Sequence, residues 1–278
     1  MEGGRKLKRF FAALLYKESK NFNEENIMST AVSELIKRYG CDGLEVTLEP
    51  KLTLNSVDEH YKTMGLQGGV TDGKYGYFVM NEHGSTAEVR SKIIKVDLDK
   101  WEIVEEAHDF YMCHANDVAY DAKHHRLLVS HCNVDAHDMS IIDPDTLKLI
   151  EVKSISTRHF AMAYNAKRNQ YVVGKTATYD LAVLDEDFNP LYDIEGEDGH
   201  VKQGIECDDD FIYFFQTGCR YNWIFVYDWD GKYYGKIKVP MVGESEHLFF
   251  RGDELIGSFN VHKDRTAHIY VMKVTPKK

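Results

Sequence analysis

An all-β fold built from a repeated unit is what this 278-residue sequence predicts, on three observations. Polar turns at Asp72, Asp121, Asn165, Asp208 and Gly252 fall in register, at spacings of 49, 44, 43 and 44 residues. Each turn is flanked by short runs that alternate or pile up β-branched and aromatic residues, the pattern of paired strands. One strand near the start has no partner nearby, and one strand is missing at the end. A period of this length is that of a propeller blade. The prediction is therefore a five-bladed β-propeller closed by an N-terminal strand, with a short α-helical N-terminal extension.

Residues 1–42 form the extension. Leu7, Phe10, Phe11, Leu14 and Leu15 are spaced by threes and fours, which predicts a helix over 6–20. The basic start and the run FFAALLY superficially resemble a signal peptide. That run is short, no small-x-small site follows it, and Lys17, Glu18 and Lys20 come at once, so a helix is preferred. A second helix is capped by Asn23, carries Glu24 and Glu25 in its first turn, and ends at Gly40. Both are expected to pack on the rim or base of the propeller, with a dimerisation arm or a membrane-surface element as the alternative.

At Gly43 the period changes. GLEVTLEP sets Leu44, Val46 and Leu48 against Glu45, Thr47 and Glu49, which is a half-buried strand. Blades follow near 67–110, 111–157, 158–199, 200–242 and 243–278. The second blade shows the unit most plainly: VAYD, RLLVSH, MSIID and LKLIEVKSI are four strands separated by DAKHH, CNVDAHD and DPDT. Fourth strands are legible in the first four blades (WEIVEE, LKLIEV, PLYDIE, YYGKIKV), whereas only four residues follow HIYVMKV in the last. The orphan strand 43–50 is predicted to supply the missing one and so remove the open seam of the ring. Third strands end in Asp-x-Asp at Asp97 and Asp99, Asp143 and Asp145, Asp185 and Asp187, Asp228 and Asp230. A calcium loop is one reading; aspartates accepting backbone hydrogen bonds in tight turns is the preferred one, since the doublet recurs at the repeat period.

The segment HANDVAYDAKHHRLLVSH with IIDPDTLKLIEV resembles the repeats of the broad YVTN and lactonase-like propeller superfamily. The resemblance covers 67–278 as blade pattern alone. It implies the propeller and no particular activity, because propellers host enzymes, lectins and scaffolds alike. The three-carboxylate motifs of five-bladed glycosidases and the signature segments of plant-type glutaminyl cyclases are not found in it.

Forty-five acids against 34 bases give a formal net charge of −11, and no basic stripe offsets it, which argues against nucleic acid as a partner. No stretch approaches the roughly 18 to 20 apolar residues that span a bilayer, so no membrane partner is expected. Five cysteines, odd in number and without CxxC spacing, read as reduced thiols in a cytoplasmic protein. The expected partner is a small molecule, and the N-terminal helices offer a route to a homo-oligomer.

In a propeller the loops entering first strands and those joining second to third strands share one face around the channel. Counting five residues back from each aligned turn gives Gln67, Asn116, Phe160, Gln203 and His247, with His114, Asp117, His159, Lys202, Glu206 and Glu246 as neighbours. The second-to-third loops add Arg220 and Tyr221. Amides, imidazoles and charges of both signs converging on one mouth are the ingredients of a ligand pocket. Three chemistries compete. His114 or His159 is a general acid or base, its tautomer fixed by Asp117 or Glu246, with Lys202 or Arg220 stabilising an anion. Alternatively His114, His159 and His247 bind a divalent metal, or the site only binds, with Tyr179, Tyr221 and Trp223 stacking on a ring.

The first is preferred: an enzyme of hydrolase or lyase type acting on a small polar or anionic substrate, with no cofactor and no metal. His114, Asp117, His159 and Glu246 are its candidate catalytic residues. Gln67, Asn116, Lys202, Gln203, Arg220, Tyr221 and His247 are its candidate substrate-binding residues. A non-catalytic small-molecule or glycan binder and a protein-interaction scaffold stay open. His114 and Asn116 are expected at the mouth, and Asp117 turned partly into its blade.

Overall fold

The computed structural model describes residues 31–57, 59–84, 88–132 and 136–278. Among these residues twenty strands make five four-stranded antiparallel sheets. The first four blades run in chain order from the axis outward. They are β2 (Met64–Thr71) to β5 (Glu102–Tyr111) with β3 (Tyr75–Glu82) and β4 (Arg90–Asp97) between, then β6 (Ala115–Asp121), β7 (Arg126–His131), β8 (Asp138–Ile142) and β9 (Leu149–Ser154). Next come β10 (His159–Asn165), β11 (Gln170–Lys175), β12 (Leu181–Leu184) and β13 (Pro190–Ile194), and β14 (Val201–Cys207), β15 (Phe211–Thr217), β16 (Asn222–Asp228) and β17 (Tyr233–Val239). The fifth blade consists of β18 (Glu244–Arg251), β19 (Glu254–Val261), β20 (Thr266–Pro276) and β1 (Leu44–Asn55). The orphan strand is thus its outer member. It pairs antiparallel with β20 from Leu44 opposite Pro276 to Asn55 opposite Thr266, five residues further than the sequence pattern indicated, with one register shift between Pro50 and Leu52.

Second strands are buried almost throughout, as in Leu127 to His131 and Phe211 to Phe215, whereas outer strands such as β5 and β9 are mostly exposed. The core accordingly lies between neighbouring sheets. One cluster joins Phe211, Tyr213 and Phe215 of the fourth blade to Leu248, Phe250 and Phe259 of the fifth, and Leu44 and Val46 of the closing strand complete it.

The helix predicted over 6–20 lies outside the described residues, as does the first part of the second. The described part is α1 (Ala31–Tyr39). It buries Val32 and Ile36 in the cluster just named. The Ser33 hydroxyl donates to Asp210, Lys37 pairs with the same carboxylate at 2.8 Å, and the Ala31 N–H donates to Asp253 at 3.0 Å. Asp210 and Asp253 belong to first-to-second turns, so α1 covers the base of the fourth and fifth blades. Among the described residues no helix is long and apolar enough to cross a membrane.

The aligned turns are held as turn chemistry requires. Asp72 Oδ1 accepts from the N–H groups of Lys74 and Tyr75, and Asp208 Oδ1 from those of Asp210 and Phe211. The Tyr77 and Tyr213 hydroxyls donate to the second oxygens of these same carboxylates. The Asp-x-Asp turns work alike. The first aspartate of each pair accepts two backbone N–H bonds, at 3.0 and 3.1 Å for Asp97, 2.9 and 2.9 Å for Asp143, 2.9 and 2.8 Å for Asp185, and 3.0 and 2.8 Å for Asp228. Those bonds account for the recurring doublet as turn chemistry.

Candidate functional site at the channel

Every innermost strand shifts register against its neighbour at the same height, just inside the face where the chain enters the blade. The shifts fall between Leu66 and Gly68, Ala115 and Asp117, His159 and Ala161, Lys202 and Ile205, and Ser245 and His247. The extra residue of a bulge leaves the ladder and is free to aim its side chain elsewhere. In the first three blades that residue is Gln67, Asn116 or Phe160, as the turn alignment indicated. In the fifth it is Glu246 and not His247, one position earlier than counted, because β18 runs one residue further before its turn.

On this face the amides tie blade to blade. Gln67 Oε1 lies 2.8 Å from His114 Nε2, and the Asn81 amide lies 3.4 Å from His114 Nδ1. The Nε2–H tautomer satisfies these two contacts, while the Gly84 carbonyl, 3.3 Å from Nδ1, is served only when Nδ1 is protonated as well. Burial lowers the pKa of His114, against the raising influence of the Gly84 carbonyl and the charge of Glu244, so the ring is neutral near pH 7. Asn116 donates to the Phe160 carbonyl at 3.0 Å. The Gln203 amide reaches Glu244 Oε1 at 3.3 Å, and His262 Nε2 lies 2.7 Å from Glu244 Oε2.

Beside the mouth a cleft of about 310 Å³ opens among the second, third and fourth blades, lined by Asn116, Cys132, Arg158, Phe160, Thr176 and Lys202. Cys132 is a main-chain neighbour of His114, its N–H donating to the His114 carbonyl at 2.9 Å, while the His114 ring does not line the cleft. Lys202 spends all three of its N–H donors on the carbonyls of Lys175, Thr176 and Thr178, at 3.1, 2.7 and 2.8 Å. Its ammonium also lies 4.9 Å from the Phe160 ring centre, and burial lowers its pKa. Lys202 therefore offers charge but no hydrogen bond. Arg158 is exposed, and no acidic side chain pairs with it among the described residues.

Other candidates are placed differently. Arg220 and Tyr221 are exposed on the loop between β15 and β16, with Lys238 Nζ 3.3 Å over the Tyr221 ring, and neither lines the cleft. His159 is wholly enclosed. Its Nδ1 lies 3.1 Å from the Thr157 carbonyl, its Nε2 has no partner among the described residues, and burial holds its pKa down to about 4. Glu246 is buried against Asn260, whose amide donates to it at 2.6 Å, and burial with the nearby charges of Glu244 and Asp117 pushes its pKa well above the carboxylate range. Glu244, two residues earlier, is the carboxylate at the mouth.

Asp117 departs from the expectation that it turns into its blade. It points across the channel, where Oδ1 pairs with His247 Nδ1 and accepts from Val118 N–H. Oδ2 accepts from Met162 and Ile205 N–H at 3.2 and 3.3 Å. Those N–H groups lie on the free inner edges of the third and fourth blades. Space for the pair comes from missing side chains: a Cβ on Gly68 would stand 2.8 Å from the Asp117 Cα, and one on Gly204 would run into the His247 ring. The imidazole that Asp117 orients is thus that of His247, not His114.

Polar type and proximity to an aligned turn were enough to flag His114, Asn116, Lys202 and Gln203. Glu244 and Arg158 were missed. The one-residue displacement of β18 hid Glu244, while Arg158, the loop residue directly before the noted His159 that opens β10, could have been found by counting one residue further.

No family model matches the chain, and no curated protein matches it. Among solved structures it is similar to Myxococcus xanthus glutaminyl cyclase, at 11% identity and a TM-score of 0.60 over 84% of this chain and 99% of that one. It is also similar to the tail fibre of Staphylococcus aureus phage P68, at 10% identity and a TM-score of 0.60 over 87% of this chain and 56% of that one. A nidogen/laminin complex matches at 10% identity and a TM-score of 0.50, over 84% and 98%. At such identities the likeness is one of fold. The class defined is the five-bladed β-propeller.

Proposed function

We propose that this propeller, with blades of the YVTN and lactonase-like pattern, is an enzyme that acts on a small anionic molecule at the face where first strands begin. The observation that carries the reading is the cleft bearing Arg158 and Lys202, whose wall residue Asn116 lies two residues along the chain from the neutral His114 at the mouth. An anionic group fits the cleft because Arg158 can give it paired N–H bonds and Lys202 adds positive potential from behind. His114 is the proton acceptor, and the charge of Glu244 favours the imidazolium that forms. Gln67 holds the ring, and Asn116 fixes the wall between second and third blades.

The test is a turnover screen of lactones, esters, phosphates, glycosides and, in view of one structural neighbour's name, peptides with N-terminal glutamine. Anionic members are expected to be the substrates. His114→Ala should lower kcat by about 10² to 10⁴, and Arg158→Ala should mainly raise KM. Unchanged turnover in a folded His114→Ala protein would remove the proton-transfer role, and binding without turnover in any class would leave a binding propeller.

A further inference from the structure

Below the Asp117–His247 pair the channel widens again into a second cavity, of about 120 Å³, that opens on the opposite face between the first-to-second turns. A cavity of about 150 Å³ with apolar walls holds a benzene ring, so this one is of ligand size. Val70, Ala119, Met162 and Ala163 give it apolar walls. Its polar side chains are already engaged, with one exception. The hydroxyls of Thr71, Tyr120 and Tyr164 bond to the Tyr75 carbonyl, His125 and Asn169. Asn165 is used by the Asp208 carbonyl and the Arg168 N–H, and Lys167 pairs with Asp209 at 3.2 Å.

The exception is Glu206. Its carboxyl accepts N–H bonds from Cys207, at 2.7 Å, and from Phe250, and has acceptor positions left over. No basic side chain pairs with it among the described residues. The charged groups around it are Asp117 on β6, already committed to His247 on β18, and Asp208 in the turn directly after its own strand, committed to that turn. Lys167 at the rim is neutralised by Asp209.

We propose that the turn-side end of the channel is a second binding site, for a small primary amine whose alkyl part fills the apolar cavity and whose ammonium pairs with Glu206. An ammonium supplies three donors to a carboxyl with acceptors to spare, and it relieves the repulsion of two neighbouring acids. Burial, with those acids, pushes the Glu206 pKa up to about 8, so the empty site is protonated near neutrality and the amine must displace one proton. Affinity then rises about tenfold per pH unit below 8 and levels off above it.

The experiment is calorimetric titration of the full chain with n-butylamine, and with 1-butanol and butyrate as controls, from pH 6 to 9. The amine is expected to bind in preference to both controls and to release about one proton at pH 6.5. Glu206→Gln is expected to weaken it at least tenfold, and His114→Ala to leave it unchanged, so that this site and the one on the other face stand or fall separately. Equal binding of butanol or butyrate, a flat pH profile, or full affinity in Glu206→Gln overturns the proposal. Should Glu206→Gln fail to fold, Ala163→Leu narrows the cavity without touching the carboxyl; undiminished affinity there is equally fatal.

Discussion

A carboxylate at the axis of a ring has to find its hydrogen-bond donors on other strands, and Asp117 takes N–H bonds from the third and fourth blades while its other oxygen lies against the His247 ring of the fifth. Removing it leaves the buried N–H groups of Met162 and Ile205 without their acceptor and the His247 ring without its charge partner, which is how a buried carboxylate becomes expensive to delete. Asp117→Ala is expected to lower unfolding stability by about 3–5 kcal/mol. Urea unfolding at an unchanged m-value checks this, and a loss under 1 kcal/mol would mean that the channel is wet enough for water to replace the carboxylate. At this scale the sequence was only partly legible. The residue types at the axis were apparent because they break an otherwise apolar pattern. Their pairing was not, since Asp117 and His247 are 130 residues apart and meet only when the ring closes. Glu244 and Glu246 show the same limit: two carboxylates on one strand, one at the mouth and one buried on Asn260, separated by a bulge that leaves no mark in composition.

The strands and turns were the most legible elements, because each rests on local chemistry repeated five times. The aspartate that opens a turn is chosen for the N–H groups it can accept, so it recurs at most of the turns, at Asp72, Asp121 and Asp208 among the aligned ones. The Asp-x-Asp doublet separates two roles that look identical in the sequence. Asp185 accepts from the N–H groups of Asp187 and Asn189 and from the Asn189 amide, whereas the Asp187 side chain is exposed. Asp185→Ala should therefore cost about 1–2 kcal/mol, the scale of a lost capping side chain, and Asp187→Ala less than about 0.5 kcal/mol. Added calcium should leave the melting temperature where it is. Equal losses in the two variants, together with a calcium-dependent rise, would reinstate the ion-binding reading. What the turns could not reveal is the set of five bulges just inside the opposite face, which arise from how the inner strands crowd the axis.

At the scale of the whole molecule, closure was legible as a matter of counting: one strand too few at the end and one too many near the start. A ring of sheets with an open seam leaves the N–H and C=O groups on the outer edge of β20 unpaired, its inner edge being paired with β19, an invitation to pair with another chain. Pairing β1 there also buries Leu44 and Val46 against the fourth and fifth blades. A chain beginning at Leu52 loses the Leu44–Lys51 part of that pairing, its larger part, together with α1. A chain lacking only residues 1–40 keeps the strand and loses Val32 and Ile36, worth about 1.5–3 kcal/mol each, with the Lys37–Asp210 contact. The two truncations should therefore differ in kind. The longer one is expected to abolish the cooperative thermal transition or to aggregate through β20, and the shorter one to melt cooperatively at a lower temperature than the full chain. Scanning calorimetry of the three chains side by side decides the matter, since a Leu52 start that melts like the full chain would show that the first 51 residues do not hold the ring shut.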